Sequence, residues 1–217
     1  WKLLTEKDIG PRTKLRSSGK RPSLRGKPED WRLRIWQKAQ HSKYQDAIAV
    51  MAITGCRPSE LEKGIDMRLS PNGTVLITIR GSKVTQHSGQ ELRSIEFTAE
   101  GVFGQHLAGL IRAGINEIKL EPNQGRYLSD CLRAWSKQLW PRQKHHISCY
   151  SFRHAASADF KRQLPSKHTS AALGHRAERT KRYYGTANQS KIGLEQVTQV
   201  SCSTPVKSNP NLGELLS

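Results

Sequence analysis

Residues 54–61 read TGCRPSEL. Gly55 suits the left-handed residue that closes a helix, and Pro58 suits the first turn of the next. The stretch therefore reads as a tight bend between two helices, with the permanently charged Arg57 inside it. Upstream, residues 31 to about 53 carry a helical pattern in which Ile48, Met51 and Ala52 recur at helical spacing. An arginine at such a bend, beside apolar sequence, is either a surface side chain or part of an anion site. The rest of the chain decides between them.

Downstream, residues 74–80 (TVLITIR) are β-branched and strand-like, and ELRSIEF alternates as a second strand across the turn region GSKVTQHSGQ. Helical patterns follow. Phe103, Leu107, Leu110, Ile111 and Ile115 share one face, and Leu128, Cys131, Leu132, Trp135 and Leu139 repeat it before Pro141. SFRHAASADFKRQL is a further helix closed by Pro165, and KHTSAALGH another that ends at Gly174. The fold class expected is α+β, mostly α-helical, with a small antiparallel β-sheet.

The chain has 217 residues, with 36 Lys and Arg against 18 acids, for a formal net charge of +18. This excess points to a polyanionic partner, most simply nucleic acid. No apolar run approaches the ~20 residues of a spanning helix, and no secretory signal opens the chain. A membrane is not among the expected partners. Cys56, Cys131, Cys149 and Cys202 are scattered without metal-site spacing. This fits a reducing interior better than a disulfide framework or a zinc site. Residues 1–34 hold eleven basic side chains and four acidic ones, a net of +7, whereas 185–217 hold two lysines and two glutamates. Residues 1–30 thus read as a basic arm or interdomain linker, 31–185 as the main domain, and 186–217 as a C-terminal tail. A start at Trp1 rather than Met leads us to expect an upstream domain.

Taken singly, the remaining signals are weak. They are the hairpin lysine Lys83, the run YSFRH over residues 150–154, and LGHRAERTKRYYG over residues 173–185. In order with TGCRPSEL, and with Tyr184 nine residues after His175, the set resembles the catalytic domain of the tyrosine site-specific recombinases, the phage-integrase family. The resemblance spans roughly residues 31–185. It implies that fold and a DNA strand transferase. A tyrosine hydroxyl attacks a DNA phosphodiester to give a 3′-phosphotyrosyl link, which a partner strand's 5′-hydroxyl later reverses.

The chemistry explains the residue types. Negative charge grows on the non-bridging oxygens, and planar, bidentate guanidinium groups suit it. By resemblance Arg57 and Arg153 clamp the phosphate, Lys83 protonates the leaving 5′-oxygen, and His175 donates to a phosphate oxygen. Tyr184 is the nucleophile. Arg80 competes with Lys83 for the acid role, but a guanidinium with a pKa of ~12.5 or more is a poor proton donor. Tyr183 is the alternative nucleophile. On one straight helix nine residues rotate about 900°, half a turn out of phase. The chain must therefore break after Gly174–His175 for His175 and Tyr184 to share a site. Tyr150 stands where the family usually has His, sometimes Lys, three residues before the second arginine. It can donate a hydrogen bond but brings no positive charge. Glu60 and His154 are supporting residues.

No cofactor and no metal are expected. Lys14, Arg16, Lys20, Arg21 and Arg80 are candidate DNA contacts. The resemblance further implies double-stranded DNA as partner, a homotetramer on DNA, directionality or accessory DNA-binding proteins, and a nucleoid-associated role in the cytoplasm of a bacterial or phage-infected host, in integration, excision or resolution. Leu212, Leu215 and Leu216 at i, i+3 and i+4 form an apolar edge that could dock on a neighbouring protomer. Two other readings remain: a DNA-binding relative with weakened or lost catalysis, and a type IB topoisomerase-like DNA-relaxing enzyme.

Overall fold

The computed structural model describes residues 24–178 and 195–208. The helical stretch expected over 31–53 is two helices, α1 (Trp31–Lys38) and α2 (Gln45–Thr54). His41, at φ 66°, breaks the path between them. In α2 every residue from Ala47 to Thr54 is buried. A helix apolar all round belongs in a core, and α2 occupies its middle. Gly55 closes it at φ 62° and ψ 26°, and the short helix α3 (Pro58–Leu61) begins at once with proline in its first turn.

Strands β1 (Ile65–Leu69), β2 (Val75–Arg80) and β3 (Leu92–Phe97) follow. Then come α4 (Val102–Arg112), the two-residue β4 (Glu117–Ile118), α5 (Gln124–Leu139), α6 (Cys149–Gln163), α7 (Ser166–Ala172) and β5 (Val197–Cys202). One five-stranded sheet results, in the order β4-β1-β2-β3-β5, with antiparallel neighbours throughout. The architecture is α+β with more helix than strand. Three of the strands were not anticipated from the sequence. The last, β5, lies in the stretch read as tail and pairs with β3, placing Val200 opposite Ile95.

The inner row of the sheet, Ile65, Met67, Ile77, Ile79, Ile95 and Phe97, is buried against the helices. Alternation sets this row, since successive strand residues point to opposite faces. Trp31 meets Phe152 edge to face at 4.8 Å between ring centroids, tying α1 to α6. Buried Arg32 donates to Asp159 on α6 at 2.6 Å and to the Ala52 carbonyl of α2 at 2.9 Å. Below the start of α1, Lys27 donates to the His145 carbonyl at 3.0 Å and lies 5.2 Å over the Trp140 ring. The end of the stretch read as an arm is thus packed on the loop between α5 and α6. Among the described residues, no helix is long and apolar enough to cross a membrane.

Candidate active site

The bend at 54–61 works as a bracket. Arg57 is the N-cap of α3, with extended backbone (φ −84°, ψ 152°). Glu60, three residues on, accepts from the Arg57 backbone N–H at 2.8 Å, one half of a capping box. Its other oxygen accepts from Arg57 Nη1 at 2.8 Å, so one carboxylate fixes both the backbone and the guanidinium of Arg57. A second arginine grips the same carboxylate. Arg93 on β3 donates from Nη1 at 3.1 Å and from Nη2 at 2.8 Å. Burial alone would raise the Glu60 pKa, but Arg93, Arg153 and Arg57 outweigh it and hold the carboxyl at about 2. Glu60 is fully buried and ionised.

Helix α7 ends where Gly174 turns left-handed at φ 71°. Gly174 N–H bonds to the Ala171 carbonyl and His175 N–H to the Ser170 carbonyl, both at 2.8 Å. This is a Schellman closure, so the chain does break at Gly174–His175. A helix leaves its last carbonyls without intrahelical donors, and here other elements of the site supply them. Arg93 Nε takes Ala172 O at 2.9 Å, and Arg153 Nη2 takes Leu173 O. Gln90 N takes Gly174 O at 3.2 Å, and Gln90 Nε2 takes His175 O at 3.1 Å. Gly174 must be glycine on two grounds: its positive φ, and Arg93 Nη1 only 2.9 Å from where a Cβ would lie.

Arg153 projects from the first turns of α6. Its Nη1 donates to the carbonyl of Gly55 at 3.0 Å, and its Nη2 lies 3.3 Å from His175 Nε2. The two arginines of the sequence motif thus share one place: Arg153 is anchored on the bend that carries Arg57. A Cβ on Gly55 would sit 2.8 Å from Ala156 Cβ and 3.1 Å from Arg153 Cα, so glycine also permits that close packing. Arg153 and His175 are almost wholly buried, while 12% of the Arg57 side chain is exposed. Burial, then the charges of Arg153, Arg57 and Arg93, depress His175 to about 3. Its imidazole is neutral at neutral pH. With Arg153 as donor, Nε2 is the acceptor and Nδ1 carries the hydrogen.

The other candidate residues fall as follows. Lys83 is exposed in the hairpin between β2 and β3. The neck of that hairpin is tied to the bend, because Ser82 bonds Ser59 at 2.8 Å and Lys63 takes the Gly81 carbonyl at 2.6 Å. Arg80 pairs with Asp66 at 2.6 Å across β1 and β2. Tyr150 is 38% exposed, one turn before Arg153 on α6, and His154 is buried on the same helix. Lys14, Arg16, Lys20, Arg21, Tyr183, Tyr184 and Leu212, Leu215 and Leu216 lie outside the described residues.

Two participants escaped the reading of the sequence, Arg93 and Gln90. Strand alternation carried a signal for the first. Arg93 is in phase with Ile95 and Phe97, so its charge falls on the buried face of β3. Nothing local marks Gln90, whose partners are 85 and 114 residues away.

No family model matches the chain, and no curated protein matches it. Solved structures do. XerA recombinase superposes with a TM-score of 0.53 at 17% identity, over 73% of this chain and 57% of its own. XerH site-specific recombinase, bound to its difH substrate in a pre-cleavage complex, gives 0.50 at 19% identity, over 72% of this chain and 47% of its own. XerH on a palindromic difH substrate, in a post-cleavage complex, gives 0.50 at 18%, over 83% and 54%. The chain spans about half the length of these structures. At this identity the likeness is one of fold, over the part of the chain that superposes.

Proposed function

We propose that this chain is a tyrosine-type DNA strand transferase, a site-specific recombinase or integrase. One observation carries the reading. Arg57, Arg153 and His175, far apart in sequence, meet around a preorganised cationic cluster on a fold shared with site-specific recombinases. Arg57 and Arg153 bind the scissile phosphodiester, and Glu60 and Arg93 keep Arg57 in place. The Tyr184 oxygen forms a bond to phosphorus, the bond from phosphorus to the 5′-oxygen breaks, Lys83 gives that oxygen its proton, and the phenol proton passes to water. The 5′-hydroxyl of a partner strand later runs the step backwards. Donors fixed before charge develops need no reorganisation when it does. Double-stranded DNA is the partner, with a homotetramer as the working assembly.

A second reading follows from Tyr150. It stands exposed one turn before Arg153, where a cationic side chain would add charge, and phenol adds none. On this reading the chain binds DNA and cleaves it slowly or not at all. A suicide DNA substrate separates the two. A covalent protein–DNA adduct that maps to Tyr184 and vanishes in Tyr184→Phe supports the transferase. Intact DNA binding with no adduct supports the binding protein. In both cases affinity falls steeply with salt.

A further inference from the structure

The C-terminal stretch beyond β5 does not leave the molecule at once. Residues 203–207 run back beside the loop that carries His175. Lys207 N–H bonds to the Arg176 carbonyl at 2.9 Å, Glu178 N–H reaches the Lys207 carbonyl at 3.3 Å, and Ala177 bridges to Lys207. From the same residue, Arg176 Nη1 donates to the Gln86 carbonyl of the hairpin at 2.8 Å. The His175 loop is therefore tied both to the Lys83 hairpin and to a C-terminal strap.

Gln90 stands where all three meet, and it is 1% exposed. Its Nε2 donates to His175 O at 3.1 Å and to Thr204 O at 2.7 Å. Its Oε1 accepts from Thr204 N at 2.9 Å and from Ser203 Oγ at 3.4 Å. An amide side chain offers two donor hydrogens and two acceptor positions, and all four are used here. Its backbone N–H takes Gly174 O at 3.2 Å, and its carbonyl crosses so close to Gly81 that a Cβ there would lie 1.9 Å away. The hairpin neck thus rests on the backbone of the residue whose side chain grips His175 and the strap. A packing role alone would need no more than shape. Four directed bonds to two segments fix the position of one relative to the other.

We propose that Gln90 is a positioning residue that couples the seating of the C-terminal strap to the placement of His175. Strap and His175 loop share one amide, so losing Thr204 from it removes two of the bonds that hold Gln90 against His175 O. This inference rests on the function proposed above for its effect on cleavage, but not for the coupling itself.

Three proteins test it: the full chain, Gln90→Met (similar length, no hydrogen-bonding group at its end), and Thr204→Pro in the full chain, which removes the backbone N–H that Gln90 Oε1 accepts from while leaving Gln90 and Lys207 in place. The first readout is the imidazole resonance of His175 by NMR, assigned by His175→Gln. The second is the single-turnover cleavage rate at saturating suicide DNA, set against the dissociation constant for the same DNA. Expected are a shifted His175 resonance in both altered chains, cleavage slowed ~10–100-fold as for a catalytic group misplaced by about an ångström, DNA affinity within twofold, and no further slowing when the two changes are combined. An unmoved His175 resonance in either folded variant overturns the coupling. So does slowing by the product of the separate effects in the combined chain. A shifted resonance in a protein that forms no adduct, the full chain included, leaves the coupling standing and instead overturns the proposed reaction.

Discussion

Replacing Glu60 with glutamine tests the electrostatic core of the site most directly. Glu60 is fully buried and faces Arg57, Arg93 and Arg153. Its pKa is held at about 2 against an ordinary value of 4.5, the arginines outweighing a burial that acts the other way. A carboxyl whose folded pKa is depressed stabilises the fold above its unfolded pKa, and that stability is lost as pH falls through the folded value. For a displacement of this size the ionised form contributes ~3 kcal/mol at pH 7 and ~1 kcal/mol at pH 3. Removing one member of a buried ion pair independently suggests a loss of about 3–5 kcal/mol, because the other charges stay buried. Glutamine keeps the shape and part of the hydrogen bonding, so we expect the lower end, ~3 kcal/mol at neutral pH. The assay is urea unfolding of both proteins at pH 7, 5, 4 and 3. Every other carboxyl contributes alike to both, so the difference isolates Glu60. It should stay near its full value to pH 5 and shrink by ~2 kcal/mol by pH 3. A difference under about 1 kcal/mol at pH 7, or one that does not change with pH, refutes the account.

Arg153→Ala should slow adduct formation on suicide DNA by about 10²–10³-fold, the usual cost of losing a preorganised donor, measured by single-turnover quench. Gly55→Ala puts a Cβ at φ 62° and 2.8 Å from Ala156 Cβ, and should lower stability by about 1–3 kcal/mol in urea unfolding. His175, depressed to about 3 by burial and then by the arginines, should stay neutral from pH 8 to pH 5 in an NMR titration of the DNA-free protein. The unfolded chain takes up this proton near its ordinary pKa of ~6.5. Folding stability should therefore fall as pH drops below that value, and His175→Asn should remove this part of the slope.

The local rules of chain geometry made the bend and the helix ends readable. Glycine then proline at 55 and 58 gave the α2–α3 corner, and Gly174 gave the end of α7, because backbone chemistry alone limits what can stand there. The hairpin read correctly because its strands are close in sequence and β-branched. Strand β5 did not read as a strand: half its residues are polar, and the pattern that makes it one lies in β3, about a hundred residues earlier. Strand β4 is two residues long and has no pattern of its own. The break at His41 went unseen because no glycine or proline marks it, although the polar run QHSK at 40–43 interrupts the apolar spacing. In the site, the motif residues announced themselves as charges at bends. Arg93 was legible in retrospect from its phase along β3. Gln90 was not, since a polar residue beside a hairpin reads as solvated until the loop and strap that bury it are placed.

The charge balance of the cluster bears on the chemistry. Three guanidinium groups face one ionised carboxylate and a neutral imidazole, so the DNA-free site holds an excess of two positive charges. A phosphodiester brings one negative charge, and the pentavalent transition state concentrates a second on the same oxygens. On the proposed reaction the cluster would be undercompensated by the ground state and matched by the transition state, which is what differential binding requires. Glu60 sets that balance. With a second carboxylate the site would already be satisfied by the diester. With none, three buried like charges would push the bend, β3 and α6 apart. A single carboxylate shared between Arg57 and Arg93 keeps the guanidinium groups close and leaves charge over for the reaction. Glu60→Gln should therefore tighten ground-state DNA binding while slowing cleavage, whereas Arg153→Ala, which removes a positive charge, should weaken binding. Weaker binding together with slower cleavage in Glu60→Gln would instead mean that the carboxylate does no more than hold the fold.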